Sequence, residues 1–485
     1  MKPLFTIIIL ITISGHLTFS QSSFVYVKDD KFYLGKSEFY FLGFSAYYLQ
    51  LVSSDSSRKH ITDDVFRIAK ETGIKVVRTW TFNSRPDSDS QSIIRYSPYG
   101  LKEEGLSALD YVVFKAGQYN IKLVLTLENN FNDFGGIEQY VKWGNTFLSP
   151  GNGKQYRHND FFTDDSLKSW YKFYMRSILN RTNVYTGIKY KDEPVIFSFE
   201  LINEASNTGY PVTQVNNWYK EMSGYFKSID KNHLLTTGEI GYDTYVKDYS
   251  DPVFYYSGSY FLFNGSKGTS FVDNTSLKDI DYSSFHLYPE AWGFEPLGGN
   301  TWINDHISIS DIFNKPALLG EFGVVGEKVK NYKIYFETIR NTPSKSAIIW
   351  DYVHPDLMNI ADKYAFNKVQ NPELFSLFKE HINLLNQDSV ITGNKDFVLY
   401  QNYPNPFNPS TTIKYSLKQT EYVKVELFNS LGERIGILDK GVRIAGTHSL
   451  FLSFDNGLLA SGIYFYRITA EPGNLSEIRK MILLK

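Results

Sequence analysis

Glu204 and Glu321 are the two residues of this chain best placed for paired carboxyl chemistry. Each closes an apolar run, 195–202 in the first case and 316–319 in the second, with Asn203 or Gly320 between the run and the acid. Two carboxyl groups brought to one spot can divide the work of breaking a glycosidic bond. One protonates the departing oxygen. The other attacks the anomeric carbon when the groups stand about 5–5.5 Å apart, or activates a water when they stand ~6.5–9.5 Å apart. The sequence leaves both distances open. Further reactive groups end apolar runs in the same manner: Arg78-Thr79-Trp80, Glu128-Asn129-Asn130, His286 with Tyr288, and Trp350.

Polar clusters at the ends of apolar runs need elements that point those ends the same way. From about residue 24 to 386 the chain repeats an amphipathic helix, a Gly or Asn stop, and a short β-branched run. Thr62 is placed to cap a helix carrying Val65, Phe66, Ile68 and Ala69. Gly73 stops it, and 74–78 follows as a strand. A helix with Leu109, Val112, Val113 and Ala116 ends near Asn120, before a strand at 121–127. Runs at 195–202 and 234–237 follow helices with apolar faces, and 39–44, 282–287, 316–319 and 347–350 complete eight strand candidates. Helix–strand alternation implies parallel strands, and eight of them close a (β/α)₈ TIM barrel. A doubly wound sheet is the alternative. No Gly-rich phosphate fingerprint follows the first strand, so the barrel is favoured.

Composition narrows the class of function. The 50 basic and 52 acidic residues nearly cancel, so no long-range attraction to nucleic acid is indicated. The absence of cysteine excludes disulfides, thiolate metal sites and cysteine nucleophiles. No metal or cofactor is expected. Aromatic residues are 16% of the chain, which suits stacking against flat ligands such as sugar rings and fits equally a general bias toward Phe, Tyr, Asn, Ile and Lys.

Longer stretches resemble a known family. Asn203-Glu204 and Glu321, with Asn129-Asn130-Phe131, Asp133-Phe134-Gly135-Gly136, His158-Asn159-Asp160-Phe161-Phe162-Thr163, Lys191-Asp192-Glu193-Pro194, Gly268-Thr269-Ser270-Phe271 and Phe285-His286-Leu287-Tyr288-Pro289, are similar to glycoside hydrolase family 5. Within it they resemble the eukaryotic-type endo-β-1,4-mannanases, over nearly all of 24–386. The resemblance implies a retaining enzyme cutting β-mannan, with Glu204 as acid/base and Glu321 as nucleophile. It further implies that Asn203 binds the sugar 2-hydroxyl, that His286 orients Glu204, and that Trp350 floors the reactive sugar. Arg78, Asn129 and Tyr288 complete the expected substrate-binding set. Physically, the Arg78 fork and a Tyr288 hydrogen bond would keep Glu321 charged. Glu200 reads as a buried structural carboxylate, and Glu128 and Glu239 as rim residues holding loops. Trp143, Phe131, Trp292, Tyr47 and Trp80 suit outer sugar subsites and loop packing equally. The family usually carries Pro, and often Arg, where Ala205 and Ser206 stand here, and commonly Asn at Ser45. The alternatives are another β-1,4-glycanase such as a cellulase, or a non-catalytic glycan-binding surface protein.

The two ends of the chain carry other signals. Residues 1–20, with Lys2, an apolar stretch at 4–13 and Thr18-Phe19-Ser20, read as a signal peptide. No other run is long enough to span a membrane. A polar linker is expected at 387–396, between a catalytic domain at 21–386 and an all-β sandwich at 397–485 with alternating runs at 423–428 and 463–467. Asn405-Pro406-Phe407-Asn408-Pro409-Ser410-Thr411-Thr412 and the basic end at Arg479-Lys480 and Lys485 resemble the C-terminal sorting domain of type IX secretion. That resemblance implies the type IX machinery as a partner and a secreted or outer-surface location. A carbohydrate-binding or spacer sandwich is the alternative.

Overall fold

The chain's stops lie where its sequence tolerates a left-handed backbone. In the computed structural model, which describes residues 24–85, 91–151, 153–243, 259–392, 397–402, 405–444, 446–454, 459–471 and 475–484, helix Lys59–Thr72 ends at Gly73 with φ +90°. Helix Glu103–Tyr119 ends at Asn120 with φ +57°. Glycine carries no Cβ to clash in that region, and asparagine tolerates it better than most. Thr62 does not cap its helix. It lies inside the first turns, buried, with its hydroxyl 2.7 Å from that of Ser53, and Arg58 occupies the cap. A tertiary partner replaced the local one. The expected signal peptide lies outside the described residues.

Eight parallel strands form one sheet: β1 (Leu42–Ser45), β2 (Val76–Trp80), β3 (Lys122–Thr126), β4 (Ile196–Glu200), β5 (Leu234–Thr236), β6 (Ser283–Leu287), β7 (Ala317–Phe322) and β8 (Ala347–Ile349). Their order is β5-β4-β3-β2-β1-β8-β7-β6. The sheet closes where Asp281 N–H donates to Leu235 O and His286 N–H to Ile240 O, each at 2.9 Å. Every residue of β2, β4 and β6 is buried, as a strand covered on both faces requires.

The lower end of the barrel is filled by its own N-terminal segment. Strands Val25–Lys28 and Lys31–Leu34 pair antiparallel and insert Phe32, whose ring centroid lies 5.2 Å from those of Phe197 and Tyr282. Burying such a ring contributes roughly 1.5–3 kcal/mol. With that end occupied, the open mouth at the strands' C-terminal ends is left for chemistry.

Helix Pro372–Thr392 follows the barrel and carries helical backbone into the stretch expected as linker. Between Pro372 and Gly393 no Pro or Gly interrupts it, so polar composition alone did not end the helix. The strands after this helix build two antiparallel sheets. One orders Phe397–Leu399, Ser410–Leu417 and Gly446–Ser453; the other orders Arg434–Arg443, Glu421–Phe428, Gly462–Glu471 and Leu475–Leu483. Burial alternates strictly along Ser410–Leu417, and Ile413, Tyr415, Val425, Tyr466 and Met481 share a core separate from the barrel's. This is a small β-sandwich. No helix among the described residues is long and apolar enough to cross a membrane.

Candidate active site

Arg78, on β2, is the hub of the barrel mouth. It is 1% exposed, and its three nitrogens donate to Glu200 Oε2 at 2.8 Å, Glu321 Oε2 at 2.7 Å and Asn203 Oδ1 at 2.7 Å. A planar guanidinium meets the three oxygens with three separate nitrogens in a fixed fork, whereas a lysine would have to reach all three from one nitrogen. Glu200 is fully buried and also accepts from Thr126 Oγ1 at 2.7 Å. It anchors Arg78 from below.

Irregular backbone aims the two acids. The β6–β7 register shifts between Phe285 and His286, and the β7–β8 register between Leu319 and Phe322. Such shifts redirect side chains beside active sites. Gly320 belongs to the second shift, and a Cβ there would stand 2.1 Å from Ser284 Oγ. Glu204 lies past β4 with φ +58°, an uncommon conformation for a residue with a side chain, held by its N–H donating 2.7 Å to Gly238 O.

The carboxyl groups of Glu204 and Glu321 meet. One oxygen of each, together with a His286 ring nitrogen, lies within 4.8 Å of the others. Glu204 Oε1 is 2.6 Å from His286 Nδ1, and Glu321 Oε1 accepts from Tyr288 Oη at 2.5 Å. Burial pushes the Glu321 carboxyl above the ordinary range, and nearby Glu204 adds to this; His286, Arg78 and the Tyr288 hydroxyl pull the other way without cancelling it. The expectation that Arg78 and Tyr288 keep Glu321 charged thus captured only the opposing half of the balance. For His286, burial favours the neutral ring, but Glu321 and Glu204 outweigh it and raise its pKa.

Above these groups opens a cleft of about 330 Å³, whose walls include Asn129, Asn203, Glu204, Tyr288, Glu321 and Trp350. Asn203 Nδ2 donates 3.1 Å to Asn129 Oδ1, and Asn129 Nδ2, buried at the cleft wall, has no protein partner. Trp350 is half-buried, stacked on Tyr47 with centroids 5.3 Å apart and planes 12° apart. All eight expected site residues therefore converge on one mouth. Arg78 and His286 do not line the cleft: both are buried beneath it and reach a ligand only through the groups they hold there, Glu321 and Asn203 for Arg78 and Glu204 for His286.

The outlying expectations divide. Trp80, Phe131 and Trp292 line the cleft. Trp143 does not; it is buried against Tyr140, with the Arg95 guanidinium 4.6 Å over its ring. Glu128 and Glu239 are fully buried rather than on the rim, and burial pushes them up to about 7 and about 8. Asp133, Tyr242, Asp362 and Tyr364 also line the cleft; the sequence offers Asp133 only within a family-like stretch, with no role, and the other three not at all. Tyr242 and Asp362 stand several residues or more beyond the strand candidates at 234–237 and 347–350, past the strand ends that mark a barrel mouth in sequence.

A parallel barrel with two carboxyls under 5 Å apart at its C-terminal mouth has the layout of double-displacement glycosidases. The chain belongs to the glycoside hydrolase family 5 β-mannosidase-like family, whose model matches residues 22–349. Residues 401–484 match the secretion system C-terminal sorting domain. Mannan endo-1,4-β-mannosidase 4 of Solanum lycopersicum is 32% identical over 374 residues, covering 73% of this chain and 89% of the tomato protein. Mannan endo-1,4-β-mannosidase 1 of Arabidopsis thaliana is 34% identical over 315 residues, covering 62% of this chain and 72% of the relative. Among solved structures, the endo-1,4-β-mannanase of Rhizomucor miehei is 31% identical with a TM-score of 0.65, covering 75% of this chain and 99% of that one.

Proposed function

We propose that this protein is an exported endo-β-1,4-mannanase that cleaves internal bonds of mannan, glucomannan or galactomannan with retention of configuration. The observation that carries the reading is the approach of Glu204 and Glu321 to within 4.8 Å, too close for a water to be activated between them. Glu321 attacks the anomeric carbon while the Glu204 carboxyl gives its proton to the departing glycosidic oxygen. The bond to the leaving sugar breaks as the bond to Glu321 Oε forms. Glu204, now ionised, takes a proton from water, whose oxygen displaces Glu321 and regenerates both groups. Arg78 and the Tyr288 hydroxyl receive the negative charge that returns to Glu321.

Recognition of mannose rests on its axial 2-hydroxyl. The Asn203–Asn129 pair offers amide groups at the cleft wall, including the unpartnered Asn129 Nδ2, and Trp350 offers a flat apolar floor. A site built to pair one hydroxyl discriminates strongly against the epimer that leaves it unpaired. The match over 401–484 supports delivery by the type IX machinery to the outer surface or medium. A reducing-sugar screen on mannan, glucomannan, cellulose and xylan tests the substrate. Preference for the mannose-containing polymers is expected; equal or higher kcat/KM on cello-oligosaccharides overturns it, and binding without release of reducing ends overturns the enzyme.

A further inference from the structure

We infer that Asp362 is a positioning residue that fixes the plane of the Trp350 indole, and through it the sugar stacked there; this rests on the glycan reading of the cleft. Trp350 Nε1 donates 2.9 Å to Asp362 Oδ2. The other oxygen, Oδ1, accepts from the backbone N–H of Tyr364 at 2.7 Å and of Ala365 at 3.0 Å. Both ends of the carboxylate are thus committed, one to a backbone turn and one to the indole.

The turn that carries Asp362 is itself tied down. Its two ends meet where Val353 N–H donates to Phe366 O at 3.1 Å and Phe366 N–H to Asp351 O at 3.0 Å. Lys328, from the helix after β7, donates to Tyr364 O at 2.5 Å and Ala365 O at 3.1 Å. A carboxylate on so restrained a loop is a fixed acceptor, not a mobile one. Tyr47 meanwhile stacks along one face of the indole. Edge and face together leave the ring no free rotation, and the same loop packs Tyr364 on Tyr288, 4.8 Å between centroids. Stacking a pyranose needs a flat surface at a set angle, because the reacting carbon must meet Glu321 in line. An indole released at its N–H edge would sample orientations in which that alignment is lost.

Asparagine separates this role from mere occupancy, since an amide cannot accept at both ends: it presents its NH₂ either to Trp350 Nε1–H or to the two backbone N–H groups. The test uses the full-length chain as wild type, Asp362→Asn, Trp350→Phe and the double variant, with kcat and KM on a β-1,4-manno-oligosaccharide and ¹⁵N–¹H spectra of the indole groups without substrate. Asp362→Asn should lower kcat about tenfold, the worth of one charge-assisted hydrogen bond, with KM changed less than twofold. It should also move the indole resonance that Trp350→Phe deletes. In the Trp350→Phe background the same change should cost less than twofold, because no N–H remains to hold. An equal loss in both backgrounds, or an unmoved indole resonance with unchanged kcat, overturns the inference. The spectra read the Asp362–Trp350 link even if wild type fails to cleave mannan, an outcome that would overturn the substrate reading alone.

Discussion

Replacing Tyr288 by phenylalanine removes one oxygen from the site and leaves the ring that packs on Tyr364 and Trp292. That oxygen donates at 2.5 Å to Glu321 Oε1, on the carboxylate that Arg78 holds by its other oxygen. A hydrogen bond to a charged group contributes about 1.5–3 kcal/mol, which corresponds to a loss of roughly 10- to 150-fold in kcat/KM if it is made to the charge that returns in the transition state. The pH dependence carries a sign as well. Burial already raises the Glu321 pKa, and the tyrosine hydroxyl opposes that rise by stabilising the ionised form. Without it the pKa rises further, so the acid limb of the kcat/KM profile moves to higher pH and activity is lost first on the acid side. Initial rates on a soluble manno-oligosaccharide across the acid and neutral range measure both effects. A variant within twofold of wild type at the optimum, with its acid limb unmoved, would show that the Tyr288 hydroxyl does not stabilise the Glu321 charge.

Arg78→Ala leaves Glu200 and Glu321 buried without their cation, and breaking such a pair should destabilise the barrel by about 3–5 kcal/mol; chemical denaturation that shows no loss contradicts the hub role. Glu239 is protonated in the fold well above the pH at which an unfolded glutamate ionises, because burial pushes it up to about 8. Stability from this group is full in acid and declines as pH rises from the ordinary glutamate range through about 8, and Glu239→Gln should flatten that decline in melts taken across the interval. Ending the chain after Thr392 severs the Lys414 contacts to Asp30 and Asp311 but removes no group that lines the cleft, so turnover of soluble mannan should stay near wild type while export by the type IX route fails. A truncated, folded protein that loses most of its activity, or that reaches the cell exterior as readily as the full chain, contradicts that division of labour.

What sequence could reach depended on whether its cause was local. The eight strands were legible because burial on both faces writes β-branched runs, and because Gly73 and Asn120 mark stops that only a left-handed backbone explains. The meeting of Glu204 and Glu321 at one mouth was legible because the C-terminal ends of the strands of a parallel barrel all open on the same side. Thr62 misled as a cap because its partner, Ser53, comes from another helix. Trp143 stayed open between subsite and packing because an aromatic flanking a site motif looks the same whether it faces a cleft or the Arg95 guanidinium. Asp362 was invisible: its meaning comes from a loop that returns twelve residues later to the indole of Trp350. The upward shift of Glu321 was likewise beyond sequence, since the depth of its burial is set by the whole mouth.

The most direct measurement is the anomeric configuration of the product at first appearance, followed by ¹H NMR before mutarotation. Carboxyls within 4.8 Å of each other require two displacements at one carbon, each inverting it, so the β-anomer should be released first. Initial release of the α-anomer would mean that water attacks directly, and Glu321 could not be the nucleophile.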